Sequence, residues 1–99
     1  MTETVEIVTF ALNPDVSATR FVELSQQTED FVRALPGFVH RRLSRGADGR
    51  WTDCVVWTDA AAAEAAARAF ETADCAAALI AAIAPDSLSM RHEAVHWRM

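Results

Sequence analysis

The chain has 99 residues, 52% of them hydrophobic and 23% charged, and carries a net charge of −5. A chain this short makes one domain, spanning residues 1–99, with a thin core, because it buries only about two-thirds of its unfolded surface. Its nine basic residues are scattered arginines, which excludes a nucleic-acid partner, since phosphate binding needs clustered cations.

No apolar run approaches the roughly 20 residues a membrane span requires, so no membrane partner is expected. The N-terminus Met1-Thr2-Glu3-Thr4-Val5-Glu6 lacks the basic start of a signal peptide, and a cytoplasmic location is expected. Lys is absent, which removes Schiff-base catalysis, and so is Tyr, which removes phenolic acids. There is no Gly-rich phosphate loop, no His-Glu-x-x-His and no Cys-x-x-Cys, so neither a cofactor nor a metal is expected. Cys54 and Cys75 have no metal-site spacing and read as small buried hydrophobes.

In chain order, Val5–Leu12 is rich in β-branched and aromatic residues and stops at Asn13-Pro14, which predicts a first strand. Ser17 can cap a helix whose apolar stripe runs Phe21, Leu24, Thr28, Phe31, Val32 and Leu35 at three- and four-residue spacing. Pro36-Gly37 stops it. Asp48-Gly49 is a hairpin signal, because both residues accept positive φ in a tight turn, and it joins strands near Phe38–Gly46 and Trp51–Thr58. Asp59 caps an alanine-rich helix over Ala60–Phe70 that restarts near Thr72 or Asp74 and runs to Ile83. After Ala84-Pro85-Asp86, Ser87–Trp97 reads as a last strand.

The order βαββαβ predicts an α+β, ferredoxin-like sandwich: a four-stranded antiparallel sheet with both helices on one face and strand order 4-1-3-2. In strand one, Val5, Ile7 and Ala11 point one way and Val8, Phe10 and Leu12 the other. In strand three, Val55 and Trp57 oppose Cys54 and Val56. A sheet apolar on both faces needs two covers, and a second copy of the chain supplies the missing one, so a homodimer is expected.

The chain resembles the antibiotic-biosynthesis-monooxygenase-like branch of the dimeric α/β-barrel superfamily. The resemblance is carried by Pro36-Gly37-Phe38 after the first helix and by Asp48-Gly49-Arg50-Trp51 in the hairpin. It continues in Asp53, in Trp57-Thr58-Asp59 running into the Ala-rich helix, and in Ser87-Leu88-Ser89-Met90-Arg91-His92. It implies a barrel of two sheets packed face to face, with a pocket in each subunit between sheet and helices. It also implies an activity such as cofactor-free oxidation of phenolic polyketides, haem breakdown, lactone isomerisation or quinol modification. Haem-degrading relatives carry an Asn in the first strand and a His in the second helix. This chain has neither in Val5–Leu12 or Ala60–Ile83, which sets haem oxygenation aside. The Glu that quinol-type relatives place two residues before the Trp ending strand three is Val55 here.

A two-residue Asp48-Gly49 loop would pair Ala47 with Arg50, Ser44 with Asp53, Arg42 with Val55 and His40 with Trp57. With Phe38 and Trp51, these form one face that mixes aromatic rings with His, Arg and Asp. An apolar pocket holding a few convergent polar groups suits a small aromatic ligand. His40 beside Trp57 is a candidate proton-transfer group, or else a hydrogen-bonded neighbour of a core Trp. Arg42 with Asp53 is either a structural ion pair or an anion clamp. His92 and His96 share a strand face about 13 Å apart, too far to hold one metal. His92, on the face of Leu88 and Met90, is a second catalytic candidate.

The expected site is thus His40 and His92 as catalytic groups, with Phe38, Arg42, Trp51, Asp53, Trp57 and Met90 binding substrate. Two functions fit it. The first is a cofactor-independent monooxygenase, or related isomerase or cyclase, acting on a small aromatic or polyketide-like molecule. The second is a non-catalytic homodimer that binds a small hydrophobic molecule.

Overall fold

The computed structural model describes residues 2–99. Its strands are β1 (Thr4–Phe10), β2 (Phe38–Arg45), β3 (Trp51–Trp57) and β4 (Ser89–Ala94). Its helices are α1 (Ala18–Gln26), α2 (Glu29–Arg33), α3 (Ala60–Glu71) and α4 (Ala77–Ala82), with a 3₁₀ turn at Asp74–Ala76 leading into α4. All strand pairs are antiparallel and the order is β2-β3-β1-β4, the expected ferredoxin-like arrangement.

The caps are the predicted ones. Ser17 accepts the Arg20 backbone N–H at 3.0 Å, and Asp59 accepts that of Ala62 at 2.8 Å. The first helix is not continuous, however. It breaks after Gln26, where Thr28, fully buried, donates its hydroxyl to the Ser25 carbonyl at 2.7 Å. The side chain thereby takes over a backbone acceptor of the helix end, and Glu29–Arg33 restarts as a separate turn. Gly37 sits at φ +84°, and the Thr58 N–H donates to its carbonyl at 2.8 Å. A Cβ there would lie 2.6 Å from both Ala62 Cβ and Thr58 Oγ1, so only glycine lets β2 begin this close to α3.

Two clusters hold the helices to one face of the sheet. Phe10, Phe21, Leu24, Trp51, Leu79 and Ala82 form the first, with Phe21 5.3 Å from Phe10 and 5.4 Å from Trp51 between tilted ring centroids. Val32, Val55, Trp57, Ala63 and Ala66 form the second. The parities expected for strands one and three hold: Val8, Phe10, Val55 and Trp57 pack under the helices. Val5, Ile7, Cys54 and Val56 lie on the other face and belong to neither cluster.

The hairpin register departs from expectation by one residue. Arg45 pairs with Trp51, Leu43 with Asp53, Arg42 with Cys54, Arg41 with Val55 and His40 with Val56. The loop is longer than two residues: Gly46 donates to the Arg50 carbonyl at 2.8 Å, Asp48 Oδ1 accepts the Arg50 N–H at 3.0 Å, and Gly49 alone takes positive φ, +86°. A slip of one residue turns every β2 side chain to the opposite face. A bulge between Phe38 and His40 then restores Phe38 to the face of Trp57, where the rings meet edge to face at 5.8 Å.

Candidate functional site

A cavity of about 260 Å³ lies between sheet and helices, slightly below the roughly 300–1,000 Å³ usual for small-molecule sites. Its floor is the helix-side face of the sheet, where Glu6 and Val8 of β1 lie beside Asp53 and Val55 of β3 and near Met90 of β4. Ala66, Ala67 and Phe70 of α3 form the roof, and Trp57 closes one side. Ile80, Leu88 and Met90 line the cavity and are exposed as well, so the mouth opens between α4 and the start of β4.

Two charged pairs stand on this apolar floor. Glu6 lies opposite His92 across the β1–β4 ladder, and Glu6 Oε2 is 3.0 Å from His92 Nε2. Both side chains are largely buried, Glu6 at 13% exposure and His92 at 23%. Arg41 Nε and Nη2 donate to Asp53 Oδ1 at 3.0 Å and Oδ2 at 2.7 Å, a bidentate pair. Its remaining nitrogen, Nη1, donates to Thr28 Oγ1 at 2.8 Å, which ties β2 and β3 to the break between α1 and α2. The Trp57 indole N–H is buried and has no hydrogen-bond partner.

The expected site residues divide between two places. Asp53, Trp57 and Met90 line the cavity, and His92 stands one hydrogen bond behind its wall, through Glu6. Phe38, His40, Arg42 and Trp51 line a second, open groove of about 600 Å³ between the β2 edge and α1–α2. His40 pairs with Val56 and His92 with Glu6, which places the two histidines on opposite faces of the sheet. They do not share a pocket, and His40 is exposed. The partner of Asp53 is Arg41 rather than Arg42, which the register slip turns to the outer face. His96 lies beyond β4 and is exposed.

Glu6 and Arg41 were missed. Glu6 had a visible signal, being the one charged residue in the apolar strand-one run and sharing parity with Val8 and Phe10. Arg41 had none without the correct register. Burial pushes the Cys54 thiol above its ordinary range, opposed by nearby Arg42 and reinforced by Asp53. Cys54 therefore stays a thiol on the sheet's outer face and is a poor nucleophile.

No family model and no curated protein matches the chain. Among solved structures it is similar to SnoaB, a cofactor-independent oxygenase from Streptomyces nogalater, with 24% identity, a TM-score of 0.70, and coverage of 100% of this chain and 96% of that one. It is also similar to a protein from Bordetella bronchiseptica provisionally designated an antibiotic biosynthesis monooxygenase, with 14% identity, a TM-score of 0.79 and coverage of 94% and 96%. A third is a dimeric ferredoxin-like protein of unknown function from Jannaschia sp. CCS1, with 16% identity, a TM-score of 0.70 and coverage of 94% and 99%. What these chains share with this one, over nearly their whole lengths, is the ferredoxin-like fold, and structures of the antibiotic-biosynthesis-monooxygenase type are among them.

Proposed function

We propose that this chain is a cofactor-independent monooxygenase, or a related isomerase or cyclase, acting on a small aromatic or polyketide-like molecule in the cavity between sheet and helices. The observation that carries the reading is the Glu6–His92 pair, 3.0 Å apart, with Glu6 in the lining of a largely apolar cavity and His92 directly behind it. Such a pair accepts a proton from a phenol or an activated CH₂ in a water-poor site. The substrate anion then gives one electron to O₂, the two radicals join in a C–O bond, and the peroxide takes a proton. Loss of water leaves a ketone. In sum, one CH₂ and one O₂ become one C=O and one H₂O, without an external reductant. Trp57 and Phe70 flank the space for a planar ring.

The protein acts as a homodimer in this proposal, with a second copy covering Val5, Ile7, Cys54 and Val56. The similar structure from Jannaschia is described as dimeric, which supports this. Light scattering should return about twice the 10.8 kDa chain mass at micromolar concentration, and a clean monomer would refute it.

Oxygen uptake against anthrone-like and quinol substrates tests the activity. The wild-type chain is expected to consume oxygen in step with substrate, and His92→Ala to slow it by about 100-fold or more. His40→Ala should leave the rate within about twofold. A second reading is favoured by one observation: with His40 on the opposite face, a single imidazole stands near the cavity, and it is already engaged by Glu6. A non-catalytic homodimer that stores or carries the same ligands would bind them and consume no oxygen.

A further inference from the structure

The sheet order leaves two free edges, β2 and β4, and the chain treats their charges differently. On β4, Arg91 donates to Glu93 at 2.8 Å and His92 lies 3.0 Å from Glu6, so that edge is neutralised from within. On β2, Arg41 is spent on Asp53, but Arg42 and Arg45 form no ion pair among the described residues. In a chain of net charge −5, positive charge stands uncompensated here.

The backbone of this edge is uncompensated as well. Outside the β2–β3 ladder, no backbone hydrogen bond among the described residues engages residues 39–45, so alternate N–H and C=O groups point away from the sheet. Beside them runs the groove of about 600 Å³, whose other wall is α1–α2. Six consecutive residues of β2, Phe38–Leu43, line it, so it follows the strand for about 20 Å at roughly 3.3 Å per residue. A long slot between an edge strand and a helix is shaped for an extended chain rather than a compact molecule. Its two sides differ in chemistry. Toward the helices it offers Val22, Val32, Phe38 and Leu43, and toward the outer face His40 and Arg42. An added strand turns alternate side chains to opposite faces, so the matching segment alternates apolar and acidic residues.

We infer that this groove docks an extended segment of another protein, about six residues of alternating apolar and acidic character, as a fifth strand of the sheet. Its backbone completes the hydrogen bonding of β2, its acids meet Arg42 and His40, and its apolar residues cover Val22 and Leu43. A second copy of the chain is a poorer match for this edge. Pairing β2 with β2 sets Arg41, Arg42 and Arg45 against one another, and β4 brings an Arg91 already bound to Glu93. The homodimer proposed above uses the outer face of β1 and β3 and leaves this edge open.

The probe is the peptide Thr-Glu-Val-Glu-Val-Glu-Thr, amidated and labelled with fluorescein at its N-terminus, followed by fluorescence anisotropy on the wild-type chain at low ionic strength. It should bind at least tenfold tighter than the same peptide with Lys for Glu, and tenfold tighter than one N-methylated at alternate residues. Amide resonances of residues 39–45 should shift on binding. Arg42→Glu and Val22→Asp, both at exposed positions, should each weaken binding at least fivefold, and Arg68→Glu on α3 should leave it within twofold. Equal binding of the Glu and Lys peptides, indifference to N-methylation, or resonance shifts confined to other strands overturns the inference. So does a lack of binding, which would mean that the arginines only guard the edge against strand addition. Peptide binding that splits a dimer into monomers gives the edge to the second copy and overturns it too. Every readout is independent of turnover, so the oxygenase proposal stands or falls separately.

Discussion

Replacing Asp53 by Ala strips the buried guanidinium of Arg41 of both of its carboxylate bonds, at 3.0 and 2.7 Å, and leaves only Thr28 beside it. Breaking one side of a fully buried pair costs about 3–5 kcal/mol, because the surviving charge stays desolvated. The two side chains here are 15% and 17% exposed, which places the cost at the low end, about 3 kcal/mol. Against a total stability of about 5–15 kcal/mol this is a large share. For a domain of this size it should lower Tm by roughly 12–24 °C, at about 4–8 °C per kcal/mol. Arg41→Ala should cost a similar amount, since it abandons Asp53 and Thr28 together. Arg42→Ala is the control: its side chain lies on the outer face, away from Asp53 and Thr28, and is exposed in the single chain. The expected change, at protein concentrations too low for a dimer, is within about 0.5 kcal/mol. Urea and thermal unfolding followed by circular dichroism measure all three. If Arg42→Ala were as damaging as Arg41→Ala, the hairpin register described above would be wrong, and the composition of the cavity floor with it.

Gly37→Ala should destabilise by more than about 2 kcal/mol, because positive φ and two 2.6 Å contacts act together. Gly49→Ala, with the same sign of φ but only the end of the Arg45 side chain 3.7 Å away, should cost about 1 kcal/mol in the same urea melts. Because burial raises the Cys54 thiol in the folded state, its contribution is fully present below the unfolded thiol's pKa, about 8.5, and is lost as pH rises through the folded value. Stability of the wild-type chain should therefore fall more steeply above about pH 8.5 than that of Cys54→Ser, and parallel slopes in pH-dependent melts would refute this.

Much of the architecture was legible because several local signals agreed. Ser17 and Asp59 cap where capping chemistry places them, Pro36-Gly37 ends a helix, and the alternation of Val8 and Phe10 against Val5 and Ile7 sorts the two faces of β1. The candidate site was less legible, and the reason is local. Asp48-Gly49 announces a hairpin but does not fix how many residues the turn consumes. Here Asp48 caps the Arg50 N–H and only Gly49 adopts positive φ, so the loop gains a residue and β2 rotates by one position. That rotation sends His40 and Arg42 outward and brings Arg41 and Leu43 inward. The bulge after Phe38 has no signature in Phe38-Val39-His40 itself. The break at Thr28 was hidden for a related reason: Thr28 fits the apolar stripe by spacing, and its hydroxyl acts through Ser25 and Arg41, partners that only the folded chain brings together.

The alanines of α3 set up a division of labour between roof and floor. Ala66 and Ala67 bound the cavity from above by occupying little of it, whereas every carboxylate engaged in an ion pair there stands on a β-strand below. Ligand size and ligand chemistry are thus written on separate elements. Exchanging a roof alanine for valine or leucine would trim the chamber a few methyl groups at a time without disturbing Glu6, Asp53 or their partners. A lineage built on this scaffold can change the volume of the cavity by single helix substitutions while the two charged pairs on the sheet stay untouched.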